Sequence, residues 1–319
     1  MKIAVLERHS VGPDIPVQYE HLGEVTYYRN TTTPQEVRER IRDVDIIVAN
    51  KAPLCEETLK DAPNIKLICE LATGFDNVDL AYCSSRGIKV CNVVDYCSAM
   101  VAQHTFALAL ALLEKLPHYD EYVKSGEYSA QDRFSNFDLP FHELEGMTWG
   151  IIGMGNIGRR VAQIATAFGC KVIFTSVTGK STCTAYPQVD RDTLFAESDI
   201  LSLHCPLSEI TRGIVNQTAL QRMKNTAVLI NVARGAVVDN RALYEALVAG
   251  EIAAAGLDVV DGEPLQTSNP LSLLKDSNQL IITPHLAWAS VEARTRCVEE
   301  VAKNIEAFQR GELRNVVNP

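Results

Sequence analysis

The amino-acid sequence predicts an α/β protein built from two doubly wound, parallel-sheet domains. Three observations carry that reading. Short runs that are apolar along their whole length alternate with polar helical stretches, as expected for parallel strands covered by helices on both faces. A long apolar helix interrupts the alternation once, after which it resumes. Finally, 319 residues exceed one ordinary domain but suit two of about 150, each able to bury its own core.

The first lobe reads as a sheet of about five strands: KIAVLE, VTYYR, VDIIVANK, IKLICELAT and IKVCNV. From Ser98 to Leu116 the Ala, Leu and Phe content predicts a helix buried on most sides, a rigid connector between lobes. The next stretch, EYSAQDRFSNFDLPFHELEG, carries aromatics without a strong period and is read as an arm that packs on another subunit. The second α/β series runs MTWGIIG, a helix from Asn156, KVIFTS, DILSLHC, AVLINVA, a helix over NRALYEALVAG, AAGLDV and QLIITPH. Its spacing leaves room for crossover helices. A last helix, Ser290 to Arg310, is expected to return to the first lobe and close it. The expected domains are therefore 98–285, and 1–97 joined by 286–319.

Composition excludes several classes. With 46 % apolar and 22 % charged residues the chain is neither disordered nor fibrous. A net charge of -10 argues against nucleic acid or an anionic membrane as partner, so an anionic substrate needs a local cation. The opening MKIAVLERHS reads as a first strand and not as a signal peptide, and no stretch approaches the roughly 18 apolar residues of a spanning helix. Nine cysteines lie scattered without C-x-x-C or metal-ligand spacing, which fits a reducing cytoplasm and no metal.

The stretch WGIIGMGNIGRRVA places Gly153, Gly155 and Gly158 in the spacing G-x-G-x-x-G, with Asn156 and Ile157 opening a helix. After a strand and before a helix this spacing signals a dinucleotide: a tight turn, a close backbone approach by pyrophosphate, and close helix–strand packing. The next strand ends at Thr175 and Ser176, where an acid would select NAD by binding the ribose hydroxyls. Hydroxyls at 175, 176 and 178, with Lys180 behind them, tolerate a phosphate, but the segment holds no arginine to clamp one. NAD and NADP therefore stand level as cofactor.

Three polar residues fall at carboxyl ends of strands in the second lobe, where open α/β sheets bind ligands: Arg234 in LINVARGAVVD, Glu263 in AGLDVVDGEPL and His285 in ITPHLAW. Each alone has an ordinary explanation, a helix start, a polar loop and a packed histidine. Together they suit a 2-oxo acid. Arg234 grips the carboxylate, His285 carries the proton to and from the carbonyl oxygen, Glu263 holds the imidazole, and the nicotinamide supplies the hydride chemistry.

Their order and setting resemble the D-isomer-specific 2-hydroxyacid dehydrogenase family, most nearly its glycerate dehydrogenase or hydroxypyruvate reductase branch. The stretches that carry the likeness are LATGFDNVDL, VAQHTFAL, WGIIGMGNIGRRVA, LSLHCPLSEITRGIVN, INVARGAVVD, GLDVVDGEPL and TPHLAWAS, spread over practically the whole chain. The resemblance implies a flavodoxin-like substrate domain from the first lobe and a Rossmann nucleotide-binding domain from the second, with the reaction between them. It implies catalytic roles for Arg234, Glu263 and His285, and a contact of Asp258 with the nicotinamide amide. It also implies N–H donors to the substrate carboxylate at Thr73, Gly74 and Phe75, and a homodimer joined through the nucleotide-binding domains. The favoured substrates are hydroxypyruvate and glyoxylate. A larger branched or aromatic 2-oxo acid is the alternative, and a noncatalytic dinucleotide-binding redox sensor the reading from a different class. The sequence departs from the family at Ser176, where an acid is usual, and at Gln103, where Glu is frequent.

The remaining candidates divide between packing and function. His204 and Pro206 lie where the cofactor should pass, while Cys205 has no base spaced to activate it. Asn50 and Lys51 end a strand, either facing a substrate tail or simply solvated. Asn77 and Asp79 read as braces of a carboxylate-binding turn. His104, inside an apolar helix, reads as a structural histidine, Trp149 as core, and Trp288 as a pocket wall or subunit contact.

Overall fold

A computed structural model describes residues 1–179 and 181–318. The chain divides into two compact units, one formed by Met1–Cys97 together with the segment from Ala289, the other by Ser98–Trp288.

The first unit begins with β1 (Lys2–Val5), β2 (Glu24–Tyr27), α1 (Pro34–Ile41), β3 (Ile46–Ala49), α2 (Glu56–Leu59), β4 (Leu67–Glu70), α3 (Leu80–Ser85) and β5 (Lys89–Cys91). All strand pairings are parallel and the order is β2-β1-β3-β4-β5, the flavodoxin-like arrangement. Strands β3 and β4 are buried at every position, which is why their sequences carry no alternation. Thr33 starts α1 with a capping box: its hydroxyl accepts from Glu36 N, and the Glu36 carboxylate returns to Thr33 N.

The second unit starts with α4 (Ser98–Leu113), then α5 (Leu116–Lys124) and α6 (Glu127–Ala130). The connector helix is thus shorter than the sequence predicts. Lys115 adopts φ 56, the chain bends by 59°, and Pro117 is accommodated in the first turn of α5, where its missing N–H has no intrahelical partner to lose. No single helix among the described residues is long and apolar enough to cross a membrane. Beyond α6 the arm is irregular, pinned by Tyr119, whose hydroxyl donates to Leu139 O at 2.8 Å.

The sheet of this unit follows as β6 (Thr148–Ile152), α7 (Asn156–Ala167), β7 (Lys171–Thr175), α8 (Arg191–Glu197), β8 (Ile200–Leu203), α9 (Gln217–Arg222), β9 (Val228–Asn231), α10 (Asn240–Ala249), β10 (Ala254–Leu257) and β11 (Leu280–Ile282). Its six parallel strands are ordered β11-β10-β9-β8-β6-β7, so the order reverses between β6 and β8, beside the glycine turn. Helix α4 lies close over this sheet: a Cβ on Gly256 of β10 would meet the Leu108 side chain at 3.0 Å, and Phe106 stacks on Trp149 with ring centroids 4.5 Å apart. The last helix, α11 (Val291–Gln309), belongs to the first unit, where Tyr19 donates to Val298 O and Asn304 to Asn92 O.

Candidate active site

The glycine turn after β6 has the geometry its spacing calls for. Gly153 takes φ +98, and a Cβ there would lie 2.7 Å from His204 O, so only glycine lets this turn pass the end of β8. A Cβ on Gly158 would lie 2.1 Å from Gly153 O, which fixes how closely α7 approaches the strand. Nothing stands within 4 Å of the corresponding point on Gly155. That residue caps α7 without a side chain, so the N–H groups of the first turn, at Asn156 and Ile157, face an open approach. The turn therefore fits a pyrophosphate.

Neighbouring residues extend this surface. Thr175 is buried at the end of β7 and Ser176 follows, half-buried. Lys180 lies outside the described residues. Beyond this segment Arg159, from the first turn of α7, donates Nη2 to Thr182 Oγ1 at 3.3 Å. At the end of β8, Trp149 Nε1 donates to Ser202 Oγ at 2.9 Å, and Ser202 Oγ lies 3.0 Å from His204 Nε2. The indole can only donate, so Ser202 Oγ accepts from Trp149, while the direction of its bond to His204 follows from which ring nitrogen, Nε2 or Nδ1, carries the imidazole proton. That Nδ1 is buried without a protein partner, and burial pushes the His204 pKa down to about 3. A neutral imidazole with an unspent buried ring nitrogen beside the glycine turn suits a polar ligand such as a dinucleotide. Cys205 is buried, and burial raises its thiol to about 11, far from a reactive thiolate. Pro206 O receives the Thr211 hydroxyl, which closes the following turn.

The ends of β9, β10 and β11, adjacent in the sheet, carry the polar trio and its supports. Arg234 stands three residues beyond β9, half-buried and extended at φ -145, with its Nη1 donating to Ala233 O and its carbonyl accepting from Asn231 Nδ2. The next residue, Gly235, is pressed so tightly on the backbone of Val260 that a Cβ would come within 1.9 Å. This contact brings the arginine turn against the loop that carries Glu263. There Glu263 Oε1 accepts from Val260 N at 3.2 Å, while Oε2 lies 2.7 Å from His285 Nδ1. With Glu263 accepting, the Nδ1 proton is committed and Nε2 is the ring nitrogen left for chemistry. The structure thus pairs the predicted glutamate and histidine directly.

His285 takes φ 56, a left-handed conformation that a residue with a side chain seldom adopts. Its N–H donates to Asp258 O and Thr283 O, both at 2.9 Å. Asp258, directly after β10, is 1 % exposed. Its Oδ1 accepts from the Thr283 hydroxyl at 2.6 Å and from Leu286 N at 2.7 Å, and its Oδ2 from Ala287 N at 2.8 Å. Burial alone would raise this carboxyl. The hydrogen bonds from His104, Thr283, Ala287 and Leu286 outweigh it and hold the group below the usual carboxylate range. Sequence reading named Asp258 but missed Thr283, because a threonine ending a strand carries no signal of its own. His104 is hydrogen-bonded to Thr283, Trp149 is core, and Trp288 is half-buried.

In the first unit, the stretch after β4 is braced from several sides. Thr73 donates its hydroxyl to Val93 O and receives Asn92 Nδ2 on its carbonyl, while Gly74 and Phe75 are half-buried. Asn77 Nδ2 donates to Ala52 O and to Glu70 Oε1, and the Asp79 carboxylate caps α3 by accepting from Tyr82 N. Asn50 is buried with its amide donating to Leu71 O, and the exposed Lys51 gives its main-chain N–H to Glu7. Asn50 and Asn77 therefore tie this stretch to its neighbours, while Asp79 starts α3.

Comparison with known proteins matches residues 106–287 to the family model "D-isomer specific 2-hydroxyacid dehydrogenase, NAD binding domain". Over its full length the chain is similar to a glycerate dehydrogenase of Methylorubrum extorquens, at 38 % identity covering 99 % of this chain and 98 % of the other. It is equally similar, at 38 %, to a hydroxypyruvate reductase of Blautia hydrogenotrophica, covering 100 % of both. Among solved structures it resembles an NADPH-dependent glyoxylate/hydroxypyruvate reductase from Sinorhizobium meliloti, in complex with NADP and malonate. That likeness has a TM-score of 0.87 and 29 % identity, covering 99 % of this chain and 96 % of the other.

Proposed function

Because this chain belongs to the D-isomer-specific 2-hydroxyacid dehydrogenases, which are NAD(P)-dependent oxidoreductases, we propose that it reversibly reduces a small 2-oxo acid to the D-2-hydroxy acid, hydroxypyruvate or glyoxylate before others. The observation that supports the assignment of roles most directly is the 2.7 Å pairing of His285 Nδ1 with Glu263. It fixes the ring, commits one proton and leaves Nε2 to act on the substrate oxygen.

The chain's own residues divide the work. Arg234 offers the substrate carboxylate a planar, two-pronged cation against a background charge of -10. In the reductive direction His285 Nε2 gives its proton to the carbonyl oxygen as the carbon gains a hydride, and in the oxidative direction it takes that proton back. Glu263 stabilises the imidazolium and fixes its orientation. When bound at the glycine turn, the nicotinamide coenzyme supplies or accepts the hydride. Gly153, Gly155, Asn156, Ile157 and Gly158 would hold its pyrophosphate, with Thr175 and Ser176 at the adenosine ribose, His204 and Pro206 along its path, and Asp258 at the amide. The first unit would be the substrate domain, with N–H groups at Thr73, Gly74 and Phe75 meeting the carboxylate. Ser176 in place of an acid leaves no carboxylate to repel a 2'-phosphate, and Arg159, which donates to the nearby Thr182, supplies a cation in the neighbouring stretch; together these favour NADPH.

The arm of the second unit leaves Phe134 89 % and Phe137 72 % exposed, which supports a homodimer formed through this region. Sedimentation should show a dimer that F134D/F137D converts to monomer. A monomeric wild-type chain would refute this.

The function is tested by following oxidation of NADPH and NADH against hydroxypyruvate, glyoxylate, pyruvate and 4-methyl-2-oxopentanoate. Hydroxypyruvate or glyoxylate should be consumed fastest. Arg234→Ala should raise KM for the oxo acid and lower kcat, and His285→Ala should lower kcat by roughly 10²–10⁴-fold. A fastest reaction with the branched acid would shift the assignment to larger substrates, and an H285A variant as active as wild type would remove the acid–base role.

A further inference from the structure

We infer that His104 and Thr283 are positioning residues for proton transfer: with Asp258 they form a directional hydrogen-bond chain that holds the main chain on either side of His285. The inference rests on the reading of His285 as the acid–base group.

The direction follows from counting protons. Thr283 Oγ1 lies 2.6 Å from Asp258 Oδ1 and 2.9 Å from His104 Nε2. A hydroxyl has one proton, and Asp258, as a carboxylate, can only accept. The threonine proton therefore goes to Asp258, and His104 must donate from Nε2 to the threonine oxygen. His104 Nε2 also lies 3.4 Å from Asp258 Oδ1, and the two side chains are 14 % and 1 % exposed, so water competes weakly for these bonds.

The far end of this chain grips the segment that matters. Asp258 uses its main-chain oxygen on the N–H of His285 and its carboxylate on the N–H groups of Leu286 and Ala287. Those three successive N–H groups converge on one residue, and the first belongs to a histidine at φ 56. A left-handed conformation is unfavourable for a residue with a side chain and persists where its surroundings over-determine it. The clamp therefore sets the direction in which the imidazole leaves the backbone. His104 and Thr283 keep the Asp258 carboxylate turned toward residues 286 and 287, and His104 reaches it from α4, 179 positions away from Thr283.

The test compares H104L and T283V, which break the chain, with H104Q and T283S, which preserve a donor and a hydroxyl. Measured for each are kcat, KM for hydroxypyruvate, NADPH affinity by fluorescence and the solvent deuterium isotope effect on kcat. H104L and T283V should lose about tenfold or more in kcat with KM and coenzyme affinity within about twofold, and should show a larger solvent isotope effect because proton transfer has become slower. H104Q and T283S should recover to within about threefold of wild type. In an H285A background T283V should bring no further loss. Wild-type kcat and isotope effect in H104L or T283V would overturn the inference, as would a loss in H104Q and T283S equal to that in the apolar variants. H104Q and T283S hardly change the packed volume, and a loss of about tenfold or more in kcat in either would overturn the inference even if the apolar variants do not fold. If H285A itself turns over like wild type, the acid–base reading fails; if H285A is slow while H104L and T283V are not, only the positioning role fails.

Discussion

Each unit deeply buries a carboxyl group at the carboxyl end of a parallel strand, Glu70 in the first and Asp258 in the second, and these two meet opposite electrostatic fates. Asp258, following β10, is ringed by donors from Thr283, Leu286 and Ala287, with His104 beyond, and is held ionised. Glu70, the last residue of β4, is 0 % exposed, and only its Oε1 is engaged, by Asn77 Nδ2 at 3.2 Å. Its Oε2 is buried without a partner, burial and the neighbouring Glu7 carboxylate both disfavour charge, and its pKa rises to about 8. Glu7 has meanwhile taken the main-chain N–H groups of Asn50, Lys51 and Ala52. Depth alone therefore does not decide ionisation; the supply of local donors does. Where donors converge, the charge becomes a clamp for a turn, and where they are spent elsewhere the acid stays neutral.

The largest effect should come from breaking the donor-rich case. In D258N one amide nitrogen must face either the Leu286 or the Ala287 N–H, donor against donor. This should cost about 2–4 kcal/mol of stability in the second unit, read by denaturant unfolding, together with a kcat loss of tenfold or more. Near-wild-type stability would mean that the carboxylate is not the clamp. The donor-poor case predicts a pH slope. An unfolded chain releases the Glu70 proton in the ordinary range near 4.5, whereas the folded chain keeps it until about 8. The folded state then binds more protons over that window, so its stabilisation is complete at low pH and declines as pH rises toward 8. Unfolding free energies of wild type and E70Q should lie close together near the acid end and diverge with rising pH, by on the order of a few kcal/mol, with E70Q the more stable. Parallel curves would show that Glu70 ionises normally and would abolish the contrast.

Much of this was legible in the sequence because the relevant signals are local. Apolar runs such as IIVA of β3 mark strands buried on both faces, and the spacing of Gly153, Gly155 and Gly158 encodes close approaches that the structure realises. Arg234, Glu263 and His285 stood out as polar groups placed just after strands, and the last two pair directly. What stayed hidden depends on distant partners. Nothing near Thr283 announces that it joins His104, 179 positions away, to Asp258, 25 positions away. Nothing in IKLICELAT singles out Glu70, since a sequence does not reveal how many donors its neighbours have already used. The connector helix was read too long because its end is marked by a left-handed lysine and not by glycine.

The first sheet depends on residues from the far end of the chain. Val317 N donates to Val90 O at 2.9 Å, and the Asn318 side chain accepts from Val90 N at 2.7 Å while donating to Ile88 O at 2.8 Å. These bonds cover the open side of β5. On the ribosome, the contiguous unit 98–288 emerges before that cover exists, whereas the five strands that precede it wait with an unsealed edge until residues 317 and 318 have followed. For these two units order of synthesis and order of completion are thus reversed, and the edge of β5 is what stays open to mispairing in the interval.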